Sequence, residues 1–195
     1  MSQHWYFAAT LPALQPGAPA PFSSGRFLEL CRDQLSDKDY QAVESARLTQ
    51  ASVGEPPAPA ASASASFIAS YRSWERTLGN ELARARAKRL GRGADPWLRA
   101  SREDDRAPAA ARAALDAATP LEGELALERE RWAFIDELRG VGAFSLEAIL
   151  AYRLQLQILE RLARFAVDVG EAKYKEIYAA ILGGANENEQ TGDDR

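Results

Sequence analysis

The feature that most constrains the fold is the stretch of residues 145–169, which is apolar on almost every side when it is drawn as a helix. Four long polar side chains in it recur at spacings of four, three and four positions and so form a single stripe: Arg153, Gln157, Glu160 and Arg164. A helix that is apolar nearly all round is buried at the centre of a helical protein. The segment therefore predicts a bundle built around one central helix.

The composition supports the same fold class. The chain has 38 alanines and 22 leucines, against 16 valines, isoleucines and threonines taken together. Alanine and leucine favour helices, whereas the residues that strands prefer are scarce. We therefore predict an all-α, multi-helix bundle, and the composition excludes a predominantly β protein.

Proline- and alanine-rich breaks divide the chain into four parts. Residues 1–50 hold an aromatic segment followed by a helical hairpin. Residues 51–66 (ASVGEPPAPAASASAS) are predicted to be a flexible, low-complexity linker, because they bury too little apolar area to hold one conformation. Residues 67–182 are predicted to form the helical bundle, and residues 183–195 a disordered acidic tail.

Capping residues mark the predicted helix boundaries. Ser23 or Ser24, and then Ser36, are placed to cap the two helices of the hairpin, and residues 119–122 (TPLE) form a complete capping box with proline in the first turn. A buried face is predicted from apolar residues that recur every three or four positions: Phe67, Tyr71, Trp74, Leu78, Leu82 and Ala85.

Residues that could support catalysis or metal binding are few. The chain has one cysteine, Cys31, and one histidine, His4, so neither a disulfide framework nor a Cys/His metal site can be built within one chain. Cys31 lies on the apolar side of its predicted helix and is expected to be buried. The alternating charges of residues 128–131 (ERER) are expected to form a solvated helix face. We predict that the protein is not an enzyme and has no catalytic residue, cofactor or metal site.

A basic cluster on the third predicted helix is a candidate partner interface. It comprises the five cations of residues 84–92, of which Arg84 and Lys88 share one helix face. Three interpretations are open: a solvated face, a docking face for an acidic protein partner, and a nucleic-acid site. The first is favoured and the last is least favoured, because no aromatic residue interleaves with the cations and the net charge of the chain is −4.

Two further clusters are candidate partner interfaces. The aromatic cluster of Trp5, Tyr6 and Phe7 either packs on the bundle or anchors in the groove of a partner, since aromatic side chains dominate both kinds of contact. The polar stripe on the central helix must face water, pair internally or meet a partner. A solvent-exposed ion pair adds little to stability, so the fold alone gives weak reason for the whole stripe, and its four residues are a candidate partner interface.

No membrane-spanning or export segment is predicted. The apolar run at residues 5–11 is ended by Pro12 and is not preceded by a lysine or arginine, so it lacks the features of a signal peptide. No apolar stretch approaches the ~18–20 residues that a membrane helix needs. We expect a cytoplasmic protein without direct membrane insertion.

Two short motifs stand near the beginning of the chain. Residues 4–12 (HWYFAATLP) contain an aromatic pair with a following Leu-Pro, and residues 23–31 (SSGRFLELC) contain a Phe-Leu-x-x-Cys helix. In these motifs the chain resembles an uncharacterised bacterial family whose genes lie in operons for V/A-type rotary ATPases. The resemblance extends more loosely to residues 145–169.

A second segment is similar to the all-helical central-stalk connector of those ATPases, the protein that seats the central shaft on the rotor ring. Residues 143–152 (AFSLEAILAY) match the family's acidic helix start followed by Ala-Tyr. The chain departs from the family where an acidic residue is expected seven positions after Tyr152: Leu159 stands there and Glu160 follows it. The connector is also longer, being built of three similar helical lobes.

These resemblances imply a non-catalytic accessory or connector subunit of a bacterial V/A-type rotary ATPase. The implied partners are protein subunits of the central stalk or the rotor ring, so the chain is expected at the periphery of the inner membrane through them. Two alternatives remain: a general helical adaptor unrelated to the ATPase, and a nucleic-acid-associated protein that uses the basic residues 84–92.

Overall fold

The structure, a computed structural model, describes residues 4–48, 63–101 and 106–165. In these ranges the chain is all-α, as predicted, with seven α-helices, one short 3-10 helix (Asp95–Trp97) and no strand. The α-helices are α1 (His4–Thr10), α2 (Ser24–Gln34), α3 (Asp37–Ser45), α4 (Ala63–Arg89), α5 (Arg106–Leu115), α6 (Pro120–Arg139) and α7 (Leu146–Ala163).

Several predicted parts lie outside the described residues: positions 51–62 of the linker, residues 166–182 of the helical bundle and the acidic tail. The chain divides after Glu160 into two units, residues 1–160 and 161–195.

The predicted helix caps are present. The Ser23 hydroxyl accepts a hydrogen bond from the Arg26 N–H at 3.1 Å, and the Ser36 hydroxyl accepts one from the Asp39 N–H at 3.3 Å. At the start of α6 the capping box is complete, because the Thr119 hydroxyl accepts from the N–H of Glu122 and the Glu122 carboxylate accepts from the N–H of Thr119. These contacts satisfy N–H groups that have no partner within the helix.

The predicted linker boundary is wrong at its end, because α4 begins at Ala63 and residues 63–66 are helical. The last proline of the linker is Pro59, so nothing after it prevents helix formation, and alanine has the strongest helix propensity of all residues. The helix therefore includes residues 63–66 of the alanine- and serine-rich segment.

Helices α4, α5 and α6 pack together around aromatic side chains of α4. Tyr71, Trp74 and Leu78 are each at most 2% exposed, which confirms the predicted buried face as far as Leu78. Leu82 and Ala85, at its end, are only half-buried. The Trp74 ring stacks on Phe134 of α6 with 4.5 Å between the ring centroids. The start of α6 touches α5 so closely that a Cβ on Gly123 would lie 2.6 Å from the Ala114 carbonyl oxygen.

Helix α7 packs against the N-terminal hairpin of α2 and α3 through aromatic rings. The rings of Phe27 and Tyr152 stack with 5.1 Å between their centroids, and the Phe7 ring of α1 stacks on Phe27 at 6.1 Å. Helix α7 is buried on most of its surface, as predicted for the central helix. No helix in the described ranges has both the length and the apolarity required to cross a membrane.

Candidate interaction surfaces

The polar stripe of α7 holds the N-terminal hairpin. The Arg153 side chain, in a residue that is 8% exposed, donates to the Ser24 carbonyl oxygen at 2.8 Å, and the Glu160 carboxylate accepts from the Ser24 N–H at 2.6 Å. The Gln157 side chain accepts from the N–H of Leu48 at 3.1 Å. Its amide nitrogen also donates to the carbonyl oxygen of Ala46 at 3.0 Å.

The predicted use of this stripe as a partner interface is therefore wrong for Arg153, Gln157 and Glu160. These side chains are bonded to backbone groups of the same chain, which leaves them little capacity to bind another one. Burial lowers the pKa of Arg153, and the nearby Glu160 carboxylate opposes that shift. Arg164 is exposed and belongs to the second unit.

A buried ion cluster joins the middle of α4 to the middle of α6. Arg131, whose side chain is 6% exposed, donates to both carboxylate oxygens of Glu75, with Nη2 2.7 Å from Oε1 and Nε 3.0 Å from Oε2. Its Nη1 also lies 3.0 Å from the carboxylate of Glu128, which is 1% exposed. Burial alone would lower the pKa of Arg131, but Glu75 and Glu128 outweigh that effect and raise it.

The expected solvated face at residues 128–131 is accordingly wrong for Glu128 and Arg131. The sequence did contain a signal, because Glu128 is seven positions after Leu121 and seven before Ile135, on the same side of the helix as Ile135, which is buried. A bidentate Arg–carboxylate pair combines a defined geometry with charge compensation. The cluster fixes α6 against α4.

The N-terminal aromatic cluster is divided between the core and the surface. Phe7 is 4% exposed and packs on Phe27, whereas Trp5 is 54% exposed and Tyr6 is 62% exposed. The Trp5 and Tyr6 rings contact each other edge to face. The His4 ring lies 3.1 Å from the Asp39 carboxylate, which ties α1 to α3.

The turn between α6 and α7 carries an apolar surface that the motif analysis missed. We call this the apolar turn and define it as residues 140–144. Val141 is fully exposed and Phe144 is 53% exposed. The turn begins at Gly140, whose φ of 63° ends α6, and Ser145 then caps α7 by accepting from the Ala148 N–H at 3.3 Å. Exposed apolar side chains together mark interaction sites more often than isolated ones do.

The end of α4 carries the basic surface, which we define as the five cations of residues 84–92 together with Leu90 and Trp97. Lys88 is exposed, and Arg84 is exposed and pairs with Glu81 within its own helix. The structure adds Leu90 and Trp97, which are 69% and 58% exposed. The spacing of the basic residues gave no indication of these two exposed apolar side chains.

The apolar turn and the basic surface lie at opposite ends of α6. A pocket of about 260 Å³ is lined by Arg86 and Arg89 from the end of α4 and by Thr119 and Pro120 from the start of α6, and the apolar turn follows the other end of α6. With 20 residues, α6 is about 30 Å long at 1.5 Å per residue. The ion cluster and the Trp74–Phe134 stack hold the middle of this helix in place.

A larger cleft of about 660 Å³ lies beside the apolar turn. It is formed by the proline-rich segment after α1 and by the facing sides of α6 and α7, with Trp132, Ile149 and Tyr152 in its lining. The cleft is also lined by Arg139, which precedes the apolar turn, and by Ala143, which belongs to it. The cleft and the apolar turn therefore form one continuous region of the surface.

Neither a reactive thiol nor a metal-binding cluster is found in the described ranges. Cys31 is fully buried, and burial raises the pKa of its thiol to about 12, so the reactive thiolate is suppressed at neutral pH. In the described ranges, no group of three or more His, Cys, Asp and Glu side chains is placed to hold a metal ion. In the described ranges the protein is thus all-α, with exposed large apolar side chains at the apolar turn and on the basic surface.

Comparison with known protein families gives one match. Residues 114–185 match a family described as a protein of unknown function, DUF2764. The matched part includes α6, the apolar turn and α7, which hold two members of the ion cluster, Glu128 and Arg131, and most of the polar stripe. No curated protein and no solved structure matches the chain.

Proposed function

We propose that this chain is a non-catalytic connector or accessory subunit of a bacterial V/A-type rotary ATPase, where it joins two protein partners. The observation that carries the proposal is the arrangement of two exposed surfaces of different chemistry at opposite ends of α6. A connector needs two separate contact regions on a body that does not bend between them. Helix α6 supplies that body, since its middle is anchored by buried contacts to α4.

The assignment to the rotary ATPase is supported by the resemblance of residues 143–152 to the central-stalk connector. This segment contains Phe144 of the apolar turn, and it lies inside the part of the chain that matches DUF2764. The apolar turn is therefore our candidate contact for the central-stalk subunits. In this proposal the chain hydrolyses no ATP itself and acts through binding.

The proposal is tested by capture of purified V/A-type central-stalk subunits and rotor ring on the immobilised full-length chain. We expect the wild-type chain to retain central-stalk subunits, and the double variant Val141→Ser, Phe144→Ser to retain them at least about tenfold less, because exposed aromatic anchors concentrate binding energy. Leu121→Ser is the matched control, since Leu121 is a 44% exposed apolar residue at the other end of α6.

Two results would overturn this assignment. Failure of the wild-type chain to retain any ATPase subunit would favour a general helical adaptor. Sustained ATP hydrolysis by the purified chain would remove the non-catalytic role.

A further inference from the structure

The basic surface at the end of α4 has its geometry fixed by the way the helix ends. The Gly91 N–H donates to the Lys88 carbonyl oxygen at 3.2 Å and the Arg92 N–H donates to the Ala87 carbonyl oxygen at 2.9 Å, while Gly91 has a φ of 64°. This pair of hydrogen bonds is a Schellman motif, which turns the chain back on the last turn of the helix. It therefore brings Arg92 back beside the turn that carries Lys88.

The segment that follows then returns along α4. The Asn80 side chain accepts from the Arg99 N–H at 2.9 Å and donates to the Arg99 carbonyl oxygen at 2.7 Å, so the chain reaches the level of Asn80 by that point. Trp97 lies on this return, between Arg92 at the helix end and Arg99. The exposed ring of Trp97 and the exposed Leu90 are thus both positioned along the last turns of α4.

The charge of this surface is largely uncompensated by the described residues. Residues 81–97 contain five basic side chains and two acidic ones, Glu81 and Asp95. Glu81 pairs with Arg84, and one N–H of Arg89 donates to the Leu115 carbonyl oxygen at 2.7 Å. In the described ranges, no carboxylate forms an ion pair with Arg86, Lys88 or Arg92. Cations near a helix C-terminus are favourable in themselves, but that effect does not explain an exposed leucine and tryptophan beside them.

We infer that the basic surface is a docking site for an acidic segment of a partner protein that carries large apolar side chains. Arginine and tryptophan are the residues that most often anchor protein interfaces, and a leucine that is 69% exposed gains free energy only against an apolar partner group. A nucleic acid would satisfy the cations and could stack on Trp97, but it would leave Leu90 without an apolar partner. The mixed chemistry therefore favours a protein. This inference rests on the proposed function, in which the basic surface is one of the two contact surfaces.

The test is fluorescence anisotropy of the full-length chain with labelled probes. The first probe is a short synthetic helical peptide of glutamate and leucine, the second is the same peptide with serine in place of leucine, and the third is an oligothymidylate of equal charge. We expect the glutamate–leucine peptide to bind at least about tenfold more tightly than either of the other probes.

Variants then locate the binding. We expect Leu90→Ser and Trp97→Ser each to weaken binding of the glutamate–leucine peptide about tenfold, and the double change Arg86→Glu, Lys88→Glu about a hundredfold. Arg129→Glu is the matched control, because it reverses the charge of an exposed arginine in the middle of α6, and it should change binding less than about twofold.

Three results would overturn the inference. The first is that the glutamate–leucine peptide does not bind. The second is that its binding survives the double change Arg86→Glu, Lys88→Glu. The third is that the oligothymidylate binds at least as tightly as the peptide and that Leu90→Ser does not weaken its binding. The last result would identify a nucleic-acid surface instead. These binding measurements contain no ATPase subunit. If they fail, the capture of central-stalk subunits through the apolar turn can still succeed. If that capture fails, binding of the acidic peptide to the basic surface can still be observed.

Discussion

The Glu160 carboxylate of α7 accepts a hydrogen bond at 2.6 Å from the backbone N–H of Ser24, the first residue of α2, which lies 136 positions earlier in the chain. A carboxylate at the start of a helix satisfies an N–H that has no partner within the helix and interacts favourably with the helix dipole. One polar side chain of the central helix thus completes the N-terminus of another helix. This contact joins the last residue of the first structural unit to the start of α2.

Glu160→Arg is therefore expected to destabilise the protein. The change removes a charge-assisted hydrogen bond and places a second cation near Arg153, so the free energy of unfolding should fall by about 1.5–3 kcal/mol. Arg164→Glu, at an exposed position shortly after the end of α7, should stay within about 0.5 kcal/mol of wild type. The measurement is urea unfolding followed by circular dichroism, and equal midpoints for Glu160→Arg and wild type would contradict this role.

Replacement of Arg131 tests the buried ion cluster. Arg131→Leu removes the guanidinium that pairs with the carboxylates of Glu75 and Glu128 in a site that is almost closed to water, and the expected loss is about 3–5 kcal/mol. Arg129→Leu is the matched control, since it makes the same change two positions away at an exposed site and should cost less than about 0.5 kcal/mol. Similar unfolding midpoints for the two variants would show that the cluster does not support the fold.

The stack between Trp74 and Phe134 gives a third prediction. Trp74→Ala should cost about 3–5 kcal/mol, because Trp74 is 2% exposed and its removal leaves a large cavity. Trp74→Phe should cost clearly less. It keeps an aromatic ring against Phe134 and removes an indole N–H that is buried without a hydrogen-bond partner among the described residues. Equal losses for both variants, measured by thermal unfolding, would contradict the stacked geometry.

Burial of the Cys31 thiol should make the free energy of unfolding fall at alkaline pH. Burial raises the pKa of its thiol from 9.0 to about 12, so the folded chain keeps this proton to a higher pH than the unfolded chain does. Between these values unfolding releases a proton, and stability therefore falls as the pH rises. Relative to Cys31→Ala, the wild-type chain should lose additional stability from pH 9 upward, measured by urea unfolding at a series of pH values. A constant difference between the two proteins across that range would contradict the burial of the thiol.

The part of the fold that local sequence determines was predictable. Helix caps such as Ser36 and the Thr119 capping box depend on residues within one turn, and the buried face with Trp74 follows from a repeat within one helix. The extension of α4 to Ala63 was missed because alanine and serine fit both a helix and a flexible segment, so composition alone does not separate the two.

The interactions of the polar side chains could not be predicted in the same way. Whether Glu160 or Arg131 faces water depends on which helix packs against it, and that partner lies far away in the sequence. The periodicity of α6 did place Glu128 among buried positions, but charge alternation in residues 128–131 suggested a surface. Exposure of Val141 and Phe144 likewise follows from the packing of α6 and α7 and not from their own identities.

The most direct test of the connector proposal is native mass spectrometry of the full-length chain mixed with purified central-stalk subunits and rotor ring. We predict a ternary complex in which one copy of the chain holds two different partners. The Val141→Ser, Phe144→Ser variant should lose one partner, and the Arg86→Glu, Lys88→Glu variant should lose the other, each leaving a binary complex. A chain that forms only one binary complex, or loses both partners through either variant, would contradict the claim that α6 separates two independent contact surfaces.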